Sequence, residues 1–486
     1  MASLEELRNT RIEKLKTLEK AGMNPYPASS KRDYVLSEVV SDFEKISKKG
    51  EVTLVGRIMS IRGQGGLVFF NINDGTGSFQ GLLKKDEMDE KVFDLFQNTI
   101  DIGDFIEIKG ILFVTKRGEK TLQVKGWKIL AKSIRPLPEK WHGLQDEEEK
   151  LRKRYLDIIF NPEVKEMVIK RAKFWSSMRE FLVKNNFMEV ETPILENTAG
   201  GADAKPFITH HNALDMDVYL RISTGELWQK RLMVAGFNKT FEIGRQFRNE
   251  GMDAEHLQDY TQMEFYWAYA DYNDGMKFVE EMYKYIAEET FGTLKFKIKD
   301  FDIDLGGKWE MYDYVETIKK MTGVDILSAN VKDIENKLKE LKIEYDKKGF
   351  NLTRAIDNLW KYCRKQIGGP GFLVNVPVTM EPLAKRKEGD RNLVERFQII
   401  LAGSENGKGY SELNDPIDQM NRFVEQAKLR EAGDEEAQMM DGDFVEAMEY
   451  GMPPTCGFGV SERLFSFLMD KPGRECQIFP LMKPKG

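Results

Sequence analysis

Between residues 51 and 135 one pattern recurs: a short run rich in Val, Ile, Leu and Phe, then Gly or Asp. The runs are VTLVGRIMSI, LVFFNIND, FQGLLK, FIEIKGILFVT and TLQVKGWKIL. Apolar runs of this length bounded by turn residues read as strands, and one helix is expected among them over 87–96.

Five short strands with a single helix suit a small Greek-key barrel of the OB type, an architecture that commonly binds oligonucleotides. Arg57, Arg62, Lys84, Lys85, Lys116 and Arg117 interleave with Phe69 and Phe70. Such a composition supplies cations for phosphates and aromatic faces for unpaired bases. Strand phenylalanines also build cores, and of this adjacent pair one is expected in each role. Ahead of the barrel, Leu4, Leu7, Ile12, Leu15 and Leu18 recur at helical spacing until GMNPYP stops the pattern. The result is an amphipathic helix lying on another surface, either a solvated leader or an element that touches RNA.

The chain of 486 residues, 41% hydrophobic, is long enough for more than one packed domain. The expected divisions are a leader at 1–48, the barrel at 49–135, a charged linker at 136–162, and a second domain at 163–486 with a helical insertion at about 308–391. Within that second domain a long amphipathic helix precedes FMEVETP, and KTFEIG and YTQMEFYWAYAD read as an antiparallel pair. Lys plus Arg total 73 against 80 Asp plus Glu, a net charge of −7, so a nucleic acid must be met by a local basic surface. Cys363, Cys456 and Cys476 show no CxxC spacing, and four histidines accompany them, which argues against a disulfide framework or structural zinc. A charged N-terminus and the lack of an apolar run near ~18 residues argue against a secretory signal or membrane span, and point to the cytoplasm.

FEIGRQFRNEG, residues 241–251, begins as a half-buried strand and ends in charges. No GxxxxGK[ST] and no strand-embedded GxGxxG is present, so a phosphate needs another holder. Arg248 can offer a bidentate fork to an α-phosphate, and Glu250 can accept from an adenine amine or an ammonium. A salt-bridged surface hairpin explains the same residues equally well.

The companions of this stretch decide between the two. FMEVETPIL, FEIGRQFRNEG and GFGVSERLF, in that order, resemble the three signature motifs of class II aminoacyl-tRNA synthetases. WHGLQDEEEKLRKRYLD, GGADAKPFITHHNALD, MEFYWAYADY and GYSELNDP are similar to the lysyl-tRNA synthetases within that class. The resemblance implies an α+β chain: an N-terminal OB-fold that binds the anticodon, then a catalytic domain built on an antiparallel sheet flanked by helices. It implies that L-lysine attacks the α-phosphate of ATP, giving lysyl-adenylate and pyrophosphate, and that the lysyl group then passes to tRNA(Lys). It implies Mg²⁺ as cofactor and a symmetric homodimer.

By motif position, the resemblance assigns the α-phosphate and the lysine carboxylate to Arg248, and the γ-phosphate end to Arg463. Glu250 and His256 would face the nucleotide, and Tyr260 would stack on adenine. Glu412 with Tyr266 would take the side-chain ammonium, while Gly201, Glu226 and Glu264 would line the rest of the amino-acid pocket. Glu405 would ligate the metal, with Gln398 as a weaker or water-mediated ligand where the family has a carboxylate. Lys408 stands where the family has Asn, and either pairs with the substrate carboxylate or points to solvent. GFGVSER is one residue shorter than the family's third motif. In the barrel, Arg62, Phe69, Gln80 and Glu119 fall at anticodon-contacting positions. Two other readings stay open: an aspartyl- or asparaginyl-type enzyme of the same class, and a non-catalytic synthetase-like module that binds RNA.

Overall fold

Strands that alternate apolar and polar residues close into a barrel only if every edge finds a partner, and here the five runs do so. The computed structural model describes residues 3–138, 146–251, 257–347, 350–434 and 437–485, and the chain divides into two units, Met1–Lys150 and Leu151–Gly486. In the first, β1 (Glu51–Gln64), β2 (Leu67–Asn73), β3 (Ser78–Lys84), β4 (Phe105–Val114) and β5 (Lys120–Ala131) form a closed barrel in the order β1-β2-β3-β5-β4. Antiparallel β1–β4 pairing completes the circuit, and β3–β5 is the one parallel pair of the barrel. This is the OB topology.

The two phenylalanines of β2 part company as the two-residue period demands. Phe70 points inward and packs against Phe96 of the helix Glu90–Thr99, ring centroids 5.4 Å apart. Its ring lies so close over Gly81 that a Cβ there has no room. Phe69 is half-buried and faces outward. The amphipathic helix Leu4–Lys20 is capped by Ser3 and Glu6 and buries Leu18. Arg11 donates to the carbonyls of Ser133 (2.8 Å) and Ile102 (3.0 Å), and Lys14 pairs with Asp101 at 2.6 Å. The helix is therefore fastened to the barrel of its own unit.

Beneath that helix Lys132 is buried, its ammonium donating to the Thr99 carbonyl (2.6 Å), Asp101 (2.6 Å) and Asp104 (2.8 Å). Desolvation raises the Asp104 pKa, against which Lys132 works.

The second unit is organised by an eight-stranded sheet. Its order is Glu310–Asp313, Gly371–Val374, Arg396–Leu401, Ser404–Ser411, Thr455–Ser461, Asp259–Ala268, Lys239–Phe247 and Met188–Glu189. The six inner strands run antiparallel to one another, and the outermost strand on each side pairs in parallel. One face carries Met263, Phe265, Phe397, Phe458 and Val460, which pack against Phe174, Met178 and Phe181 of the helix Pro162–Lys184 and Phe278 and Met282 of the helix Tyr272–Phe291. Phe397 and Phe458 stack with centroids 5.8 Å apart. Gly409 lies between them on the intervening strand, its missing Cβ leaving space for the Phe397 ring.

The segment expected as a helical insertion at about 308–391 does hold helices Tyr314–Thr322, Val331–Glu340 and Leu352–Arg364, but it is not separate from the sheet. Its strands Glu310–Asp313 and Gly371–Val374 pair in parallel as the sheet's outer edge. A parallel pair needs a long crossover, and the three helices supply it. Among the described residues no helix is long and apolar enough to cross a membrane.

Replacing Lys132 by Met leaves the buried Asp104 without its cation. Breaking such a pair costs about 3–5 kcal/mol, so Lys132→Met is expected to lower the opening free energy of the barrel by that order. Hydrogen exchange at the β4 and β5 amides of the full chain measures it, and unchanged protection would show that the ion cluster does not anchor the barrel.

Candidate active site

The sheet face of the second unit that turns away from those helices borders a cavity. On the strand Asp259–Ala268, Gln262, Glu264 and Tyr266 alternate with the core residues Met263 and Phe265. Their cross-strand partners form rows over the sheet. One row runs Gln398, Lys408, Gly459, Glu264, Glu242; the next runs Arg396, Tyr410, Gly457, Tyr266, Thr240. Glycines therefore occupy the middle strand of both rows. A Cβ on Gly457 would collide with Glu412 and with the Tyr266 ring, and one on Gly459 would press on Glu264. The GFG of the third motif is thus the floor of the site, and its strand keeps unbroken register from Thr455 to Ser461 despite the missing residue. The cavity above it has a volume of about 630 Å³.

One end of the cavity is acidic. Glu226 is the first residue of the helix Glu226–Val234, and Lys230 follows one turn later on the same face. The Lys230 ammonium, 1% exposed, lies 2.7 Å from Glu226 Oε1 and 2.5 Å from Glu412 Oε2. Tyr410 donates its hydroxyl to Glu226. Glu264 accepts from the Thr224 backbone N–H (2.7 Å), from Gln262 (2.5 Å) and from the Tyr266 hydroxyl (3.0 Å). Tyr266 and Glu412 flank Gly457 without bonding to each other. Burial, with Glu226 adding repulsion, pushes Glu264 up to about 7. Burial pushes Glu412 up to about 8; Lys230 opposes this, and Glu226 and Glu264 reinforce it. For Lys230 itself burial works against the ammonium, but Glu226 and Glu412 outweigh it and its pKa is raised.

The other end is basic. Arg248 lines the cavity with its Nε donating to the Ile222 carbonyl at 3.3 Å and its guanidinium 5.8 Å from the Tyr260 ring. Arg463 opens the helix Arg463–Leu468 and reaches Ser404, which Arg364 also meets, at 3.1 Å. The residue before it, Glu462, is buried and bonded to Arg171, to Gln477 and to the Thr261 backbone N–H at 3.2 Å. That anchor fixes where Arg463 begins. Glu405 takes the Trp360 indole N–H at 2.5 Å. Burial would raise its pKa, but Arg364, Arg396 and Arg463 outweigh burial and it is lowered.

Gly201, Glu226, Arg248, Glu250, Tyr260, Glu264, Tyr266, Gln398, Glu405, Lys408, Glu412 and Arg463 all line this one cavity. His256 lies outside the described residues. Arg245 pairs with Asp259 across the hairpin rather than with anything in the cavity. Gly244 is required beside it, since the buried Arg221 lies over that position on its way to Glu242, 2.5 Å away. Lys408 is exposed but not unpaired: its ammonium is 3.3 Å from Glu381, which Arg396 holds on the other side at 2.7 Å.

The expected metal ligands fit a cation only in part. Gln398 gives its side-chain oxygen to Arg396, so this oxygen does not ligate as arranged. Glu405 is occupied by Trp360 and faced by arginines, and among the described residues no group of three or more His, Cys, Asp or Glu could hold a cation. Sequence reasoning missed Lys230, Tyr410, Arg396, Arg364 and Trp360. For Lys230 a signal existed, the Glu226–Lys230 spacing of four in TGELWQKR.

On the barrel, Arg62 and Phe69 are direct cross-strand partners, and so are Asn71 and Gln80. Gln80 donates to Thr121 at 2.9 Å and Asn71 to Ser60 at 3.1 Å. These polar groups continue across four strands beside the outward face of Phe69. Glu119 is exposed at the turn before β5.

Comparison with known proteins bears on both units. The family described as tRNA synthetases class II (D, K and N) matches residues 146–483, and that of the OB-fold nucleic acid binding domain matches 52–130. A lysine–tRNA ligase of Thermotoga maritima is 43% identical over 489 residues, covering 99% of this chain and 97% of that protein. Lysine–tRNA ligases of Thermoanaerobacter sp. (strain X514) and Roseiflexus sp. (strain RS-1) are 45% and 43% identical over 99% of the chain.

An acid whose pKa is raised in the fold keeps a proton that the unfolded chain gives up. Its contribution to stability is complete below about pH 4.5 and is lost as pH rises toward 8. The ligand-free protein is expected to lose thermal stability between about pH 5 and 8, and Glu412→Gln, which cannot titrate, to flatten that fall. Melting temperatures over this range test it, and parallel slopes in the two proteins would count against it.

Proposed function

This chain belongs to the class II tRNA synthetases of the D, K and N group, with an OB-fold ahead of the catalytic unit, and we propose that its two-ended cavity is where lysine and ATP react. The activity is ATP-dependent ligation of lysine to tRNA. The observation that carries the site assignment is that one cavity is lined both by the acidic cluster of Glu226, Glu264 and Glu412 around Lys230 and, outside that cluster, by Arg248 and Arg463. A diamine with a carboxylate fits the first set, and a triphosphate fits the second.

In this reading Glu412, with the Tyr266 ring beside it, takes the side-chain ammonium, and Glu226 and Glu264 take the α-ammonium. Arg248 holds the lysine carboxylate against the α-phosphate. A carboxylate oxygen forms the bond to phosphorus as the bond to pyrophosphate breaks, so the reaction needs no protein nucleophile. Catalysis comes from alignment and from fixed cations facing the charge that develops on phosphorus. Glu250 and Tyr260 lie at the nucleotide side, Tyr260 as the stacking partner for adenine. A ribose hydroxyl of the tRNA terminus then attacks the acyl carbon, an ester forms and AMP leaves. Mg²⁺ would neutralise the phosphates when bound, with Glu405 as the protein's carboxylate for it. Arg62, Phe69 and Gln80 form the base-reading patch of the barrel, with Glu119 at its margin. We further infer a homodimer acting in the cytoplasm.

The aspartate- and asparagine-type alternative needs a cationic or amide-reading pocket in place of Glu412. Lys408 is the one departure in that direction, and its ammonium faces the Glu381 carboxylate at 3.3 Å.

Lysine-dependent ATP–pyrophosphate exchange by purified protein is the test. Exchange driven by aspartate or asparagine instead would overturn the reading. Arg248→Ala is expected to cut the exchange rate roughly 100- to 1,000-fold, as for loss of one preorganised donor to a developing oxyanion. Phe69→Ala is expected to leave exchange intact while weakening tRNA charging by the ~1–3 kcal/mol of one stacked base. Equal loss of both steps would remove the barrel from base reading.

A further inference from the structure

Lys230 is an ammonium inside a pocket whose proposed ligand is itself an ammonium. It is 1% exposed and bridges Glu226 and Glu412 at 2.7 and 2.5 Å. The rings of Tyr410 and Phe444 lie 5.5 and 5.9 Å from its nitrogen. The groups around it are few. Its own helix contributes Glu226, and the strand Ser404–Ser411 and the residue after it contribute Tyr410 and Glu412. The strand Asp259–Ala268 brings Glu264 and Tyr266 into the same pocket, and the helix Gly442–Glu449 turns the uncharged Phe444 toward the nitrogen.

Counting charge in this dry space leads to a role. Glu226, Glu264 and Glu412 bring three negative charges, and Lys230 returns one. The remainder, two negative charges, equals the two amines of lysine, whose carboxylate is met outside this cluster by Arg248. We propose that Lys230 is the resident counter-ion of the pocket, a positioning and specificity residue that sets its unbalanced charge at two so that a diamine fills it without a proton left over. The proposal rests on the lysine reading given above.

Two consequences follow from burial. Without ligand, the two unbalanced carboxylates are neutralised by protons, which agrees with the raised pKa values of Glu264 and Glu412. Lysine binding then expels those protons. Without Lys230, a third carboxylate of the empty pocket would lack a cation, and taking up a proton is less costly than leaving it charged. In the lysine reading the α-ammonium meets both Glu226 and Glu264, so binding displaces that proton as well, one more than in the parent.

The experiment is titration calorimetry of lysine binding in buffers of different ionisation enthalpy near pH 7, on full-length protein, paired with the pH dependence of the lysine KM and kcat. Lys230→Met is expected to release about one more proton per lysine bound than the parent protein. Its KM for lysine should be raised most at low pH and recover by up to about tenfold per pH unit between pH 6 and 7.5, the slope of one extra proton, with kcat changing less. Lys230→Arg keeps the charge and is expected to match the parent in proton release. Equal release by Lys230→Met and the parent, or identical pH profiles for the Met and Arg variants, would overturn the proposal and leave Lys230 a packing residue. Should Lys230→Met fail to fold, Lys230→Met with Glu412→Gln removes one charge of each sign. Parent-like proton release in that double variant supports the charge count, and extra release refutes it. Absence of lysine-dependent pyrophosphate exchange in the parent would instead refute the lysine reading itself.

Discussion

Three carboxylates buried on one sheet face are the constraint from which the catalytic unit follows. An isolated ionised carboxylate in a dry environment is too costly to keep, so each needs a cation, a hydrogen-bond donor or a proton. Glu264 has the Thr224 N–H, Gln262 and the Tyr266 hydroxyl; Glu226 has Lys230 and Tyr410; Glu412 has, among the described residues, Lys230 alone as cation. Those partners come from two strands, one helix and one loop. The sheet must therefore be assembled in register before the carboxylates can be accommodated. Gly457 and Gly459 complete the arrangement, because side chains there would fill the space the carboxylates face.

The opposite face of the same strands makes the register affordable. Phe265, Phe458 and Phe397 alternate with Glu264, Gly457, Gly459 and Gln398, and their rings interlock with the helices Pro162–Lys184 and Tyr272–Phe291. A slip of one residue in any of these strands would bring phenylalanines into the cavity and carboxylates into the core. Packing and polar chemistry thus reject the same errors. The basic end is tied into this frame too: Glu462, bonded to Arg171 of the helix Pro162–Lys184, settles where the strand stops and Arg463 begins.

Much of this was legible from residue order because both units rest on two-residue alternation. The barrel strands and the hairpin around FEIGRQF could be read directly from alternation and turn residues, and the three motifs through their resemblance to a known family. What escaped reading lay in contacts between segments far apart in sequence. The spacing of Glu226 and Lys230 is also that of an ordinary surface helix pair, and nothing local shows that Glu412, 182 positions further on, arrives to bury it. Gln398 was expected as a ligand because the resemblance puts a carboxylate at its position; Arg396, two residues before it on the same strand face, claims its oxygen. The outer strands Glu310–Asp313 and Gly371–Val374 are four residues each, too short to show alternation, and the helices between them dominate the pattern.

In the lysine reading, selectivity for a diamine follows from the same electrostatics that make the pocket hard to build. An amino acid without a side-chain amine leaves Glu412 with Lys230 as its only cation and one charge unmatched, so it must bind together with a proton. That proton is available near neutrality, because Glu412 holds it up to about pH 8 in the empty pocket. The neutral analogue then forfeits the ion pair without facing an unpaired charge, and discrimination weakens as pH falls. Above that pH the carboxylate is ionised in the free protein, and a ligand lacking the amine must either recruit a proton or bury the charge. Rejection by a buried polar group can reach roughly four orders of magnitude when the group is left unpaired. Selectivity in this pocket is therefore a property of its protonation state as much as of its shape, and it is greatest where the empty pocket is least protonated.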